Sequence, residues 1–101
     1  MSWAIGASIK AAHDRGVKSV TFDRASSGRK PDGHVGADSY TQALTTGEAY
    51  AKLLKEKGVQ GQCIELMGDL RGQNAVNRSK GWKDAEAKWG DWKTIVQVPS
   101  E

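Results

Sequence analysis

The 101-residue sequence has a single cysteine, Cys63, and no long apolar run. One cysteine excludes an intramolecular disulfide, and Cys63 lies inside a short apolar stretch, so we expect a small core residue. No stretch approaches the roughly 20 apolar residues that span a membrane. Residues 1–4 also lack a charged region followed by an apolar secretory segment, so the chain as written is not expected to be exported.

Sequence patterns typical of enzymes and nucleotide sites are also missing. The chain has neither the Gly-Lys-Ser/Thr ending of a Walker loop nor a Gly-x-Gly-x-x-Gly fingerprint. No serine, cysteine or histidine constellation suggests covalent catalysis, and His13 and His34 have no partner at metal-ligand spacing. Asp23 or Asp69 could act as a general base only with a tuning partner, and the sequence pairs neither with one. We therefore expect no enzyme, no metal and no cofactor.

The charge pattern does not favour a nucleic-acid partner. Fifteen Lys and Arg against 12 Asp and Glu give a formal net charge of +3. The basic residues are scattered, without the basic block or interleaved aromatics of single-strand binders. A chain that is 38% hydrophobic and 27% charged is ordinary for a globular protein, and its length allows one domain or a piece of a larger one.

What the sequence does contain is an alternation of helix and strand patterns. Apolar residues at helical spacing predict helices over residues 4–15, 40–57 and 75–89, each closed by a glycine. Asp38 or Ser39 is expected to cap the second helix, and Asn74 the third. Strand-like runs cover residues 17–22, 34–37, 62–67 and 92–98. Helices between strands predict an α/β fold with a parallel sheet and flanking helices.

Asp23 and Arg24 are the first candidate binding residues. They follow residues 17–22, whose β-branched and aromatic side chains predict a buried strand. Ligands of open α/β sheets bind outside the carboxyl ends of strands. Asp23 can accept hydrogen bonds from two adjacent hydroxyls while Arg24 donates to a third, which suits a neutral sugar. The alternative is that Asp23 caps a turn and Arg24 is solvated.

A second candidate lies in the loop that leaves the third strand, residues 68–73. Asn74, Asn77 and Arg78 follow it on the first turns of a helix, where backbone amides also point outward. A tight turn with a helix cap accounts for the glycines and for Asn74 without a ligand. It accounts less well for Asn77 and Arg78, which favours a binding role for this pair.

Four motifs together resemble the sugar-binding proteins of bacterial ABC transporters, of the ribose and galactose type in class I of the periplasmic-binding-protein-like fold. The motifs are Thr21-Phe22-Asp23-Arg24, His34-Val35-Gly36-Ala37-Asp38, Ile64-Glu65-Leu66-Met67-Gly68 and Asn77-Arg78-Ser79-Lys80-Gly81-Trp82. They occur in the family's order at suitable intervals and cover essentially the whole chain.

The resemblance implies parts of two doubly wound lobes that close on a sugar. Residues 1–37 would end the first lobe and enter a crossover, and residues 38–101 would begin the second lobe. Asp23 and Arg24 match sugar-binding residues of the first lobe, and Arg78 matches one of the second. Asp38 matches a crossover aspartate, whereas Ser39 stands where many relatives have asparagine. Asp38, from this resemblance, and Asn77 and Asn74, from the second candidate loop and helix, are possible ligand-binding or hinge residues.

By resemblance the chain is a fragment of a non-enzymatic periplasmic protein that captures a monosaccharide for an ABC permease. The alternative is the effector-binding core of a transcription regulator of the lactose-repressor type, which shares the fold. Which sugar is bound does not follow from the residues present. Trp82 and Trp89 lie on the apolar stripe of one helix and are expected to be core residues rather than stacking platforms for a ligand. A fragment of two lobes also predicts partly exposed Trp3 and Trp92, a stripe of Trp82, Ala85 and Trp89 that faces solvent in the isolated chain, and a possible homodimer.

Overall fold

The computed structural model describes residues 2–26 and 28–100 and contains three helices and four strands within them. The side chain of Trp3 lies outside the described part, so the prediction about it is not addressed. The elements are α1 (Ser2–Asp14), β1 (Val20–Phe22), β2 (Gly33–Val35), α2 (Ser39–Lys57), β3 (Gly61–Gly68), α3 (Gln73–Trp89) and β4 (Trp92–Pro99).

The strands form two separate parallel pairs. β1 pairs with β2, with Thr21 opposite His34, and β3 pairs with β4, with Glu65 opposite Gln97. The connection between β3 and β4 is α3, which is the crossover that a parallel pair requires. The predicted α/β class with parallel strands and flanking helices is confirmed.

The ends of α2 follow from its sequence. Asp38, one of the two predicted caps, accepts hydrogen bonds from the backbone N–H of Thr41 at 3.0 Å and from Thr41 Oγ1 at 2.7 Å. Gly58 ends the helix in the left-handed conformation, φ 64°, and its N–H donates to Leu54 and Lys55 carbonyls. A residue with a Cβ is disfavoured there, so the glycine fixes the helix end.

The predicted cap of α3 is wrong. Gly72 occupies the N-cap position with no side-chain cap, and Asn74 is the second residue of the helix. The turn before it is closed instead by Asp69, whose main-chain oxygen accepts from Gly72 N–H at 3.0 Å. This arrangement leaves the Asn74 amide available for a contact outside its own helix.

The core lies between α2, α3 and one face of the β3–β4 sheet. Its buried members are Ala51, Leu54, Ala85 and Trp92. Trp82 stacks on Tyr50 with ring centroids 5.7 Å apart and contacts Trp92 at 4.8 Å. The expected exposure of Trp92 is therefore wrong, since 3% of its surface is accessible. The solvent-facing stripe is wrong as well, because α2 covers it within the same half of the chain; Cys63, Trp82 and Trp89 pack against this core.

The opposite face of the β3–β4 sheet is bare. Ile64 and Leu66 alternate on it and are 65% and 80% exposed, and their register partners Val96 and Val98 are also exposed. Parallel sheets normally have helices on both faces. α2 precedes β3 and α3 joins β3 to β4, and both helices lie on the other side of the sheet.

β1 is also exposed, contrary to the predicted buried strand. The strand has three residues rather than six, and Phe22 is 81% exposed. Val17 leaves the strand because its N–H donates to the carbonyl of Ala12 at the end of α1. With one partner strand and no packed layer over Phe22, the apolar sequence of β1 has nothing to bury against.

The described chain is elongated. Its extents are 60 × 23 × 16 Å and its radius of gyration is 17.4 Å, against about 13 Å for a compact domain of this length. The two strand pairs form two separate sheets within this elongated shape. No helix within the described residues is long and apolar enough to cross a membrane.

Close contact between α2 and α3 depends on glycine at two positions. A Cβ at Gly81 would collide with the carbonyl oxygen of Tyr40 and lie 2.9 Å from the Cβ of Ala43. A Cβ at Gly47 would collide with Ala85 and lie 3.2 Å from the Trp92 ring. None of these neighbours is the flexible end of a long side chain, so the helices would have to separate.

We expect Gly81→Ala to lower the free energy of unfolding by about 1–3 kcal/mol, because it overpacks the contact between the two helices. Urea unfolding followed by circular dichroism measures this. Ala87→Ser adds one heavy atom at an exposed position of the same helix and should change the midpoint little. Equal midpoints for the two variants would contradict the close-packing argument.

Candidate functional site

A cleft of about 670 Å³ lies where β1 and β3 end. One side is the Asp23–Arg24 pair, and the other is built from the end of β3, the first turns of α3 and one face of α2. The lining residues are Asp23, Arg24, Gln42, Ala43, Thr46, Glu65, Leu66, Met67, Gly68, Asp69, Gly72, Asn74, Ala75, Arg78, Ser79 and Trp82.

Asp23 has an unusual backbone conformation. Its φ is 64°, and among the described non-glycine residues it alone has a positive φ. The N–H of Arg24 donates to the carbonyl of Phe22 at 2.8 Å, which closes a tight turn around Asp23, while the Asp23 N–H donates to Val35 O at 2.8 Å. Aspartate tolerates this region better than most residues, but the turn is strained. Strain of this kind clusters at binding sites.

The two cationic side chains approach the cleft from opposite sides. Arg24 follows the tight turn, and Arg78 lies on α3 one turn beyond Asn74. Within residues 2–26 and 28–100, neither guanidinium forms an ion pair of 4.0 Å or less with a carboxylate. Both therefore offer planar sets of N–H donors to whatever enters the cleft.

Asp69 and Arg71 form a local ion pair at one rim of the cleft. The Asp69 carboxylate accepts from Arg71 Nε at 3.0 Å and Nη2 at 2.8 Å, and from the Arg71 backbone N–H at 2.9 Å. The Arg71 side chain, then its backbone N–H, hold the pKa of Asp69 at about 2. The charge on Asp69 is thus already partnered, and it fixes the turn that leads into α3.

The structure brings together most of the predicted site residues. Asp23, Arg24, Arg78 and Asn74 all line the cleft. Asn77 does not, because its Oδ1 accepts from Gln73 Nε2 at 2.9 Å along α3. Asp38 lies outside the cleft lining and caps α2, where its bonds to Thr41 lower its pKa.

Sequence reasoning missed the contribution of α2 and of the β3 interior. Gln42 and Thr46 line the cleft from one face of α2, and no motif distinguishes them from other polar helix residues. Glu65 also lines it, and its carboxylate accepts from Gln97 Nε2 at 2.8 Å. A lone charge within the apolar run of β3 was a signal for Glu65. The described residues contain no cluster of three or more His, Cys, Asp or Glu side chains able to hold a metal.

Comparison with known proteins identifies the family of the chain. The sequence matches the family described as periplasmic binding protein domain over residues 2–100. The chain therefore belongs to this family of periplasmic binding proteins, as the resemblance predicted. A search of curated protein sequences found no significant match.

Solved structures of sugar-binding proteins share the fold. The fructose-binding periplasmic domain of a hybrid two-component system has a TM-score of 0.78 and 27% identity over 90% of this chain and 29% of its own. The Caulobacter myo-inositol binding protein has a TM-score of 0.80 at 22% identity, over 99% of this chain and 33% of its own.

A third relative is an ABC transporter periplasmic solute binding protein from Actinobacillus succinogenes with bound D-allose. It has a TM-score of 0.79 at 19% identity, over 97% of this chain and 35% of its own. At these identities the last two structures support the fold alone. The chain thus spans about a third of the length of each of these proteins.

We expect the Asp69 carboxyl to titrate with a midpoint near 2, read from its side-chain carbon shift by NMR. Because the folded pKa is depressed below 3.8, the ion pair stabilises the turn above that pH and is lost as pH falls from about 4 towards 2. Arg71→Gln should raise the midpoint while the Arg71 backbone donor keeps part of the shift. Arg15→Gln, a distant control, should leave it at 2; an unchanged midpoint in Arg71→Gln would refute the assignment.

Proposed function

We propose that this chain forms part of a periplasmic solute-binding protein that holds a monosaccharide in the cleft and delivers it to an ABC permease. The observation that carries the proposal is the placement of Asp23 and Arg24 on one side of a single cleft with Arg78 on the other. Arg24 and Arg78, which are 54 positions apart in sequence, thereby line the same cleft.

The chemistry of the cleft suits a neutral polyhydroxyl ligand. Carboxylates of Asp23 and Glu65 accept hydrogen bonds from hydroxyls, while Arg24 and Arg78 donate to hydroxyl or ring oxygens. Acidic and basic groups are mixed, so the cleft carries no field of one sign that would select a strongly charged solute. Trp82 contributes an apolar surface to the lining of the cleft.

Within this proposal, residues 1–37 form the end of the first lobe in sequence, and residues 38–101 form the first half of the second lobe. The separate β1–β2 and β3–β4 sheets and the elongated shape support such a division. Ligand capture is then a hinge closure of two bodies rather than chemistry, and the protein has no enzymatic step. Asp38, at the start of α2, lies next to the proposed boundary and suits a hinge residue better than a ligand contact.

A sensor domain is a second candidate. The structure with 27% identity is the periplasmic domain of a hybrid two-component system, so the same fold serves signalling there. The transport protein and the sensor domain would use the same cleft. They differ in the partner protein that recognises the closed, ligand-bound form. The repressor alternative receives no support, because none of the relatives described above is a transcription regulator.

The test of ligand binding is an NMR titration of the 101-residue chain with fructose, D-allose, myo-inositol and arabinose. We expect millimolar or weaker binding, since the sugar is enclosed by only part of its cleft. Amide shifts should change around Asp23, Arg24 and Arg78. Arg24→Ala or Arg78→Ala should weaken binding by about 2 kcal/mol and so abolish the shifts at the same concentrations.

Arg15→Ala, a cation at the end of α1 and away from the cleft, serves as the matched control. Glycerol at equal hydroxyl concentration controls for non-specific polyol effects. Sugar-dependent shifts that persist in both cleft variants, or that glycerol reproduces, would sink the site assignment.

Self-association of the isolated chain is the remaining proposal. Ile64, Leu66 and Phe22 are exposed in open-edged two-stranded sheets, which favours pairing with a second copy. Light scattering at increasing concentration should show a dimer or larger species. Leu66→Lys should shift it towards monomer, whereas Lys93→Leu should not; a wild-type monomer at high micromolar concentration would refute the proposal.

A further inference from the structure

One hydrogen-bonded contact joins the two sides of the cleft directly. Asn74 Nδ2 donates to the main-chain oxygen of Asp23 and to Asp23 Oδ1, both at 3.4 Å. The two residues are 51 positions apart, one after β1 and the other in α3. Each bond is long, but both converge on the same residue from one amide.

The first turn of α3 also meets Arg24. A Cβ built at Gly72 would lie 3.6 Å from Arg24 Cζ, so the guanidinium rests against the N-cap of the helix. A cation at a helix N-terminus is unfavourable. Arg71 is the main cause of the lowered pKa of Asp69, and the charge of Arg24 adds a smaller lowering, so the Asp69 carboxylate also attracts Arg24.

On its other side, Asp23 is held by the segment after β2. A Cβ at Gly36 would lie 3.1 Å from the Asp23 carbonyl oxygen and 2.7 Å from His34 Nε2. The strained turn at Asp23 therefore sits between Gly36 and Asn74. Its carbonyl points towards a donor that comes from the opposite side of the cleft.

We propose that Asn74 is a positioning residue that clamps Asp23 across the cleft. The clamp holds the strained turn and engages Oδ1, which leaves Oδ2 to accept from a ligand hydroxyl. Only the role of Oδ2 in accepting from a ligand hydroxyl rests on the proposed function. The clamp itself is formed by two residues of the protein, and it keeps the two sides of the cleft in contact.

The experiment compares Asn74→Ala and Asn74→Asp with the control pair Asn77→Ala and Asn77→Asp, on the 101-residue chain without sugar. Amide hydrogen exchange by NMR reports on the Arg24 N–H, which closes the turn at Asp23. Loss of the clamp should accelerate exchange of that amide about three- to tenfold. Asn77 lies about one helical turn beyond Asn74 on α3. Its variants should leave the exchange rate of the Arg24 amide unchanged.

The aspartate variant separates clamping from a structural role in α3. A carboxylate in the first helical turn is favourable, so Asn74→Asp should keep or strengthen protection of the α3 amides. It cannot donate and it repels Asp23, so it should give the fastest exchange at Arg24 and an increased radius of gyration by X-ray scattering.

Exchange at Arg24 that is equal in the Asn74 and Asn77 variants overturns the proposal. So does a loss of protection throughout α3 in both Asn74 variants, which would mean that Asn74 serves the helix alone. Because no sugar is present, either result is distinguishable from a failure of sugar binding.

Discussion

The close contact between α2 and α3 is the constraint on which the cleft depends. Gly47 and Gly81 let the two helices approach until side chains of one touch the backbone of the other. That contact sets the direction of α3, and α3 carries Asn74 and Arg78. The same packing buries Trp92 at the start of β4, which ties the helix pair to the sheet. A shift of one helix would move one entire side of the cleft.

The local architecture could be predicted from sequence where side chain and backbone preference agree. Gly58 and Gly90 both end helices in the left-handed conformation, as the glycine signals indicated. Asp38 caps α2, and Trp82 and Trp89 pack against the core as their place on one helical stripe indicated, although the stripe was not expected to be covered in the isolated chain. These features depend on residues close in sequence, so their physical cause lies within a short window.

Features that depend on the rest of a fold could not be predicted. Nothing local in residues 17–22 reveals that β1 shrinks to three residues with Phe22 in solvent, because burial is a property of the neighbours. The expectation that Trp92 is exposed failed for the same reason. Its neighbours in α2 and α3 cover it, and the local sequence does not reveal them. The cleft residues Gln42 and Thr46 had no signal at all, because only the helix packing turns that face of α2 towards Arg78.

The left-handed turn at Asp23 places two separate requirements on that position, one on its backbone conformation and one on its side-chain chemistry. The backbone there admits glycine, asparagine and aspartate far more readily than other residues, whereas the proposed recognition of a sugar hydroxyl calls for a strong acceptor. Glycine would satisfy the turn and lose the acceptor, and glutamate would keep the charge but strain the turn. Asparagine keeps the shape and removes the charge. Few side chains therefore meet both the backbone and the acceptor requirement at position 23. Under the proposed function, ligand preference is more readily altered at Gln42 and Thr46 of α2, where the helical backbone accepts many different side chains.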